Sequence, residues 1–499
     1  MLEKVHEAKM RGLTSHRLFV VILFVALFVM ATREITDPDF WWHLRTGQLI
    51  VDTGSVPHSD PYSYTVAGKP WIAHEWLSEV FIYFLYRLGS FPALILVFSA
   101  LITLSFALVW ARSEGRPYVA AFAILLAALA TAPTWGVRPQ ILSLLLSSVY
   151  LFILERYEHK PESRSVWLLV PLMLLWVNLH SGYALGLVII GIYLIGKAAQ
   201  PLLLADAKRT AGGVGENKRA GWLRLALVFV LCLLVVPLNP NGAAMYTYPF
   251  ETLTSPTMQA FIQEWFSPDF HLVEFQPFAW LLLATLGAIA LAGKRIGLVQ
   301  ILLLVVFGYA ALRSARNIPF FAVVAAPVLA EQLWAFLAQR GWTEAFESKA
   351  QISSAAHLLN WIVLGVVVGG ALLRVSFVIA DQSTAEAAKF PAAAVDYVVS
   401  QRWAEPIYNS YQWGGYLIWR QLPGEGVFID GRADVYGDQF IEEFLNTYRA
   451  GPNWKAELEQ YHVGLVLIEP NAPLANELSH DGSWSKVYAD KLAVVFRKQ

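Results

Sequence analysis

The sequence has little charge and almost no cysteine. Asp, Glu, Lys and Arg make up 15% of the 499 residues, where a soluble domain carries about 25%. The signs nearly cancel, at a formal net charge of −1. That balance leaves no electrostatic footprint for nucleic acid as a partner. The single cysteine, Cys232, lies inside an apolar run, which excludes an intrachain disulfide. Any extracytoplasmic part must therefore fold without one. In place of charge there is hydrocarbon: 56% of residues are hydrophobic. They are gathered in repeated long runs, the pattern of an α-helical polytopic membrane protein.

About 11 runs read as spans: residues 18–32, 91–111, 117–134, 139–155, 166–179, 183–200, 223–238, 275–293, 296–312, 317–338 and 357–379. Several are shorter than the roughly 17 to 25 apolar residues of a full crossing. Snorkelling ends, or packing inside the bundle, accommodate such helices. The N-terminal MLEKVHEAKMRGLTSHR is basic and no small-residue cleavage site follows the first run, so that run reads as an uncleaved span. Lys4, Lys9, Arg11 and Arg17, then Lys208, Arg209, Lys218 and Arg219, then GKR at 293–295, all fall on one side of this arrangement. The excess of basic residues makes that side cytoplasmic. The loops at 33–73, 134–138, 179–182, 239–274 and 313–317, and everything after 380, then face outward. HEWLSEVFIYFLYRLGS (74–90) is apolar on one face and carries Glu75, Glu79 and Arg87. It reads as an amphipathic helix in the outer interface. Residues 1–380 form the membrane domain in this reading. Residues 385–499 form a small extracytoplasmic α/β domain, with strands at 426–430, 463–469 and 492–498 and helices in AEAAKFPAAAVDYVVSQ, DQFIEEFLNTYRA and WKAELEQY.

Chemistry concentrates where the chain leaves the first span, in TDPDFWWHLRTGQLI (36–50). A carboxylate at a membrane surface loses hydration, which raises its pKa and strengthens it as a base. Asp37 and Asp39, two residues apart, can divide base and orienting roles or share a divalent metal ion such as Mg or Mn. No motif makes a cofactor certain. Trp41 and Trp42 suit the headgroup layer. His43 and Arg45 can bind phosphate, Arg through its planar fork of donors. The same residue types also border spans without any chemistry.

The order of a span, an acidic loop, WWHLRTGQLIVDTGSVPHSDPYSY, an amphipathic helix and a second span resembles the first luminal or periplasmic loop of GT-C glycosyltransferases. Those membrane enzymes transfer sugars from polyprenyl-phosphate donors. DPDFWWHLRTGQLI is similar to the acidic motif opening that loop in oligosaccharyltransferase catalytic subunits. HEWLSEVFIYFLYRLG resembles the juxtamembrane helix of the lipid-A aminoarabinose and protein mannosyl transferases. The resemblance covers about the first quarter of the chain and, more loosely, the plan of spans followed by a soluble domain. It implies that Asp37 or Asp39 is the catalytic carboxylate. Asp39, the second acid of D-P-D, is the preferred one, because Pro38 gives the turn a fixed shape.

Other ionisable groups sit at helix ends on the outward side, where such groups are costly and therefore informative. Arg138 stands in TWGVRPQ, His180 in WVNLHSGY, and Arg313 and Arg316 in LRSARNIPF. Together they would neutralise the phosphate of a lipid donor and stabilise the leaving phosphate. Each alone also fits an ordinary helix end. The loop 237–275 is aromatic and Pro-rich and contains Glu264 and Asp269. Sugars bind aromatic faces beside carboxylates, so it reads as an acceptor or sugar site, or as a lid, or both. His74 and Glu75 join that set from the interfacial helix. HE here lacks the second histidine of a zinc-protease helix. In the outer domain NSYQWGGYLIWRQ loosely resembles the oligosaccharyltransferase WWDYG motif, but Gly414 and Gly415 stand where the acid belongs, so asparagine-sequon recognition is not carried over. DGRAD (Asp430, Arg432, Asp434) follows a strand and reads first as a self-contained ion network.

The function expected is transfer of a hexosyl or pentosyl unit from a polyprenyl-phosphate donor, in a membrane, to a glycan, lipid or protein acceptor. The alternatives are a lipid or oligosaccharide transporter or flippase, and a non-catalytic envelope assembly protein.

Overall fold

The computed structural model describes residues 13–113, 117–203, 216–343, 353–422, 424 and 426–499. Of the basic residues that set the expected orientation, Lys4, Lys9, Arg11, Lys208 and Arg209 lie outside the described residues. Among the described residues up to Lys389 the long elements are helices: α1 (Ser15–Ala31), α2 (Phe40–Thr53), α3 (Trp76–Ala111), α4 (Pro117–Thr131), α5 (Gln140–His159), α6 (Leu169–Leu179), α7 (Tyr183–Leu203), α8 (Glu216–Leu234), α9 (Gln276–Ala292), α10 (Leu298–Arg313), α11 (Ile318–Ala338) and α12 (Ser354–Lys389). Every run read as a span falls on one of these helices. Among the described residues seven helices are long and apolar enough to cross a membrane, and Ser15–Ala31, Arg164–Leu179, Tyr183–Ala199 and Leu298–Arg313 are shorter apolar helices. The chain is a multi-pass membrane protein.

Helix α11 is the centre of the bundle. It is buried from Ile318 to Ala330 and packs against α4, α9 and α10. Ala322, Ala325, Ala326 and Ala330 meet an alanine-rich α4, and small side chains let helix backbones approach closely. Helix α12 is the opposite case. Leu358, Trp361, Val366, Leu372 and Phe377 are all exposed, as a helix facing hydrocarbon requires. The amphipathic stretch 74–90 and the second span form one element, α3, broken at Gly89 and at Ser90 (φ 54°), just before Pro92. The proline ring cannot share space with the carbonyl four residues back, so the helix breaks there.

The C-terminal domain holds a four-stranded sheet of order β1–β2–β4–β3: β1 (Ile407–Asn409), β2 (Leu465–Ile468), β3 (Trp484–Ala489) and β4 (Val494–Lys498). β1 and β2 are parallel, and the other two pairings are antiparallel. Two of the expected strands are β2 and β4. The third, 426–430, is not a strand: only Val427 bridges, to Ile407 and to Ser63. The Asn409 side chain takes over the ladder there, donating to Ile429 O (2.8 Å) and accepting from Phe428 N (2.9 Å). The helix expected across Pro391 is two helices, because a proline holds the residue before it extended: Phe390 has φ −118° and ψ 144°.

Between bundle and domain lies the first outer loop, which contains the helix α2. Gln382, near the end of α12, pairs with both backbone groups of Ile35, at 2.7 and 3.1 Å. Thr65 Oγ1 donates to Phe428 O (2.7 Å), and Val427 N donates to Tyr62 O (3.0 Å). The short helix Gly414–Arg420 packs on α2. A side chain at Gly415 would meet Pro38 O at 2.7 Å, so the glycine in place of an acid is what lets this helix touch the D-P-D turn.

Candidate active site

The turn and the domain enclose a cavity of about 580 Å³. Asp39 caps the start of α2 and Asp37 precedes it. Asp37 Oδ1 accepts the Asp39 N–H at 2.9 Å, which fixes the two carboxylates relative to each other. Asp37 Oδ2 lies 2.8 Å from Arg138 Nε, and Arg138 Nη1 donates to Glu264. Asp39 forms no ion pair among the described residues. Its Oδ1 accepts from Trp42 Nε1 at 3.1 Å. Burial, and then the charge of Asp37, push its carboxyl up to about 8, against the weaker pull of Arg138. The elevation makes Asp39 a stronger base than an ordinary carboxylate.

Beneath this pair lies a buried cluster centred on Glu75. His74 Nε2 and His180 Nε2 approach its Oε1 at 3.1 and 3.3 Å, and His43 Nδ1 lies 3.6 Å from Oε2. Hydrogen bonds assign the protons. His180 Nδ1 accepts the Gly182 N–H (2.9 Å), so its proton sits on Nε2 and points at Glu75. His74 faces acceptors on both nitrogens, Ile72 O at 3.3 Å and Glu75, so it is the charged member. Burial lowers His43 to about 4 and His180 to about 3, and both stay neutral. Glu75 is held ionised, its burial outweighed by His74 and then by the other two imidazoles.

Arg316 lines the opposite wall, over the Trp265 ring at 4.4 Å. Unlike Arg138 it forms no ion pair among the described residues, so its charge is open to an anionic ligand. From the C-terminal domain come Gly431, Arg432 and Asp434. Arg432 donates to both oxygens of Asp430 (2.8 and 2.7 Å) and reaches Asp60 Oδ1 at 2.7 Å, with its guanidinium over Tyr62 and Trp71. The ion network of DGRAD is thus Asp430–Arg432–Asp60, joining two parts of the chain. Asp434 stands apart from it and accepts from Tyr248 Oη at 3.2 Å.

No protein-family model and no curated protein matches the sequence. Solved structures do. The archaeal oligosaccharyltransferase AglB from Archaeoglobus fulgidus, in complex with an inhibitory peptide and a dolichol-phosphate, has a TM-score of 0.54 at 11% identity, over 96% of this chain and 74% of its own. The Archaeoglobus fulgidus oligosaccharyltransferase tethered with an acceptor peptide gives 0.54 at 12%, over 98% and 74%. The chain has the GT-C fold. ArnT from Cupriavidus metallidurans is similar at 15% identity with a TM-score of 0.49, over 96% and 97%.

Within this GT-C fold, ten of the fourteen residues expected to carry catalysis or binding line the same cavity: Asp37, Asp39, Trp42, His43, His74, Glu75, Arg138, His180, Glu264 and Arg316. Four lie elsewhere. Trp41 is buried among Phe40, Phe91, Phe390 and Tyr416. Arg45 bonds Gln48 (2.8 Å) along its own helix. Arg313 is exposed and bonds Gln259 (3.1 Å). Asp269 is exposed and pairs with its neighbour His271 at 2.9 Å. The cavity adds Glu79, which the sequence marks only as a charge of the interfacial helix, and Tyr248 and Tyr411, which it does not mark. Glu79 had the signal of a carboxylate one helical turn after Glu75, and the tyrosines had none. Among the described residues no group of three or more His, Cys, Asp or Glu is arranged to hold a metal ion.

Proposed function

We propose that this chain is a glycosyltransferase that moves a sugar from a polyprenyl-phosphate donor to an acceptor on the extracytoplasmic side. One observation carries the reading: a carboxylate, Asp39, and a guanidinium, Arg316, each without an ion pair among the described residues, line the same cavity. The fold supports it, since the archaeal oligosaccharyltransferase of this fold was captured with a dolichol-phosphate and an inhibitory peptide. The eleven apolar helices cross the membrane in this reading, with the N-terminus cytoplasmic and the C-terminal domain outside.

The donor phosphate sits against Arg316, with Arg138 behind it. Asp39 takes the proton of an acceptor hydroxyl or amine as that atom attacks the anomeric carbon. The bond from the anomeric carbon to the phosphate oxygen breaks, and its electron pair leaves on the polyprenyl phosphate, whose charge Arg316 stabilises. Direct displacement inverts the configuration. Glu75 with its histidines fixes a charge-balanced floor. The test is transfer of labelled sugar from undecaprenyl-phosphate-linked donors by the purified chain, with Asp39→Asn as control. A wild-type chain that neither transfers sugar nor binds undecaprenyl phosphate would end the reading.

A further inference from the structure

The sequence presents DGRAD as one motif, but its two acids do different things. Asp430 is fully engaged with Arg432 and Tyr436. Asp434, four residues on, has no cation within ion-pair reach among the described residues. It lines the cavity, half-buried, with one side-chain donor among the described residues, Tyr248 Oη, at 3.2 Å on Oδ2. A carboxylate stripped of water and short of donors gains from hydroxyl groups brought to it.

Its surroundings suit a sugar. Tyr248 packs at a tilt against His74 with ring centroids 4.4 Å apart, and Trp71 and Tyr411 line the same cavity. Flat apolar faces beside an acceptor with spare lone pairs match a ring with C–H faces and equatorial hydroxyls. Arg316, Tyr248 and Asp434 line the same cavity, and Tyr248 is hydrogen-bonded to Asp434. In the glycosyltransferase reading the donor phosphate sits at Arg316, which puts the sugar it bears in the cavity that Asp434 lines.

We infer that Asp434 accepts hydroxyl hydrogen bonds from the transferred sugar and that the C-terminal domain thereby selects the donor's sugar. The inference rests on the glycosyltransferase reading. The test is binding to the full chain in detergent, with undecaprenyl phosphate alone and with undecaprenyl phosphate bearing glucose, galactose, mannose or arabinose. Wild type binds at least one sugar-bearing lipid about 10-fold or more tighter than undecaprenyl phosphate. Asp434→Asn keeps the affinity for undecaprenyl phosphate within about 2-fold and loses that increment. Tyr248→Phe, which keeps the ring and removes the hydroxyl, keeps part of it. A full increment in Asp434→Asn, or none for any of the four sugars in wild type, overturns the inference. No binding of undecaprenyl phosphate by wild type takes down the glycosyltransferase reading, and this inference with it.

Discussion

Arg138 lies on Asp37 and not on Asp39: its Nε is 2.8 Å from Asp37 Oδ2, while the nearest donor to Asp39 Oδ1 is Trp42 Nε1 at 3.1 Å. A guanidinium between Asp37 and Glu264 engages the Asp37 carboxylate and holds it in place. The same arrangement leaves Asp39 with a raised affinity for protons. Two acids two residues apart thus have separate tasks, set by which of them the arginine touches.

That separation fixes a pH profile. With Asp39 near 8, the fraction ionised, and with it the rate, rises with pH through that value and then levels. The charge of Asp37 is one cause of the elevation, so Asp37→Asn moves the rise to lower pH while cutting the maximal rate about 10-fold through the loosened Arg138. Asp39→Asn lowers it by about 1000-fold or more at every pH. Initial rates of sugar transfer between pH 6 and 9 decide the matter. A shift to higher pH in Asp37→Asn would sink the assignment.

Arg316 and Arg313 offer an internal comparison, three residues apart on either side of one helix junction. Arg316 faces the cavity over Trp265, while Arg313 is exposed and bonds Gln259. Arg316→Gln weakens undecaprenyl phosphate binding by about 10- to 100-fold, the worth of a charge-assisted contact. Arg313→Gln leaves it within about 2-fold. Equal losses in both variants would show a diffuse field effect, not a phosphate contact.

The same comparison shows what the sequence reveals and what it hides. Apolar runs identify helices because hydrocarbon composition alone makes them, and all of them are found. The acidic turn is legible because charge beside a span is costly. The selection within the turn is not, since residues 40–53 read as loop and form a helix. From Asp39 the next residues on the same helical face are Trp42 and His43, three and four on, and both line the cavity. Trp41 and Arg45 lie round the helix and miss it. The pairing of Arg432 with Asp60 joins distant parts of the chain, and no local pattern announces it. Strand β1 is three residues long, and on β3 only Trp484 is fully buried, so neither shows the alternation that reveals a strand.

Gly431 is the close approach that seats the domain on the turn. A Cβ there would overlap Asp39 Oδ1 and crowd Trp42 Nε1. Gly431→Ala therefore costs about 1 to 3 kcal/mol of stability, the usual range for forced overpacking, and displaces the base. Gly482→Ala meets nothing within 4 Å and serves as control. Thermal unfolding in detergent and transfer rate read the two effects. Wild-type values for both in Gly431→Ala would mean that the contact places nothing.

The buried histidines make stability fall with acid. His43 near 4 and His180 near 3 sit below the ordinary 6.5, so the folded protein resists their protons while the unfolded chain accepts them. Above pH 6.5 neither contributes a slope. As pH drops from 6.5 toward 4 the unfolded chain binds more protons, and stability falls by up to about 1.4 kcal/mol per pH unit for each group. His74 works the other way. Its raised value stabilises the fold fully below pH 6.5, and that gain is lost as pH rises through the folded value. Below pH 6.5 the gain from His74 is constant, while burial raises Asp39 and Asp434, which therefore stabilise the fold as pH falls. The part due to His180 is read by difference: between pH 6.5 and 4.5 His180→Gln removes one contribution that falls with acid, so the unfolding midpoint of the variant gains on that of wild type as pH drops. The variant also starts from a lower stability, having lost the acceptor of the Gly182 N–H and the partner of Ser143 Oγ. A constant difference between the two midpoints across that range would show that His180 is charged in the fold, and the proton assignment around Glu75 would have to be redrawn.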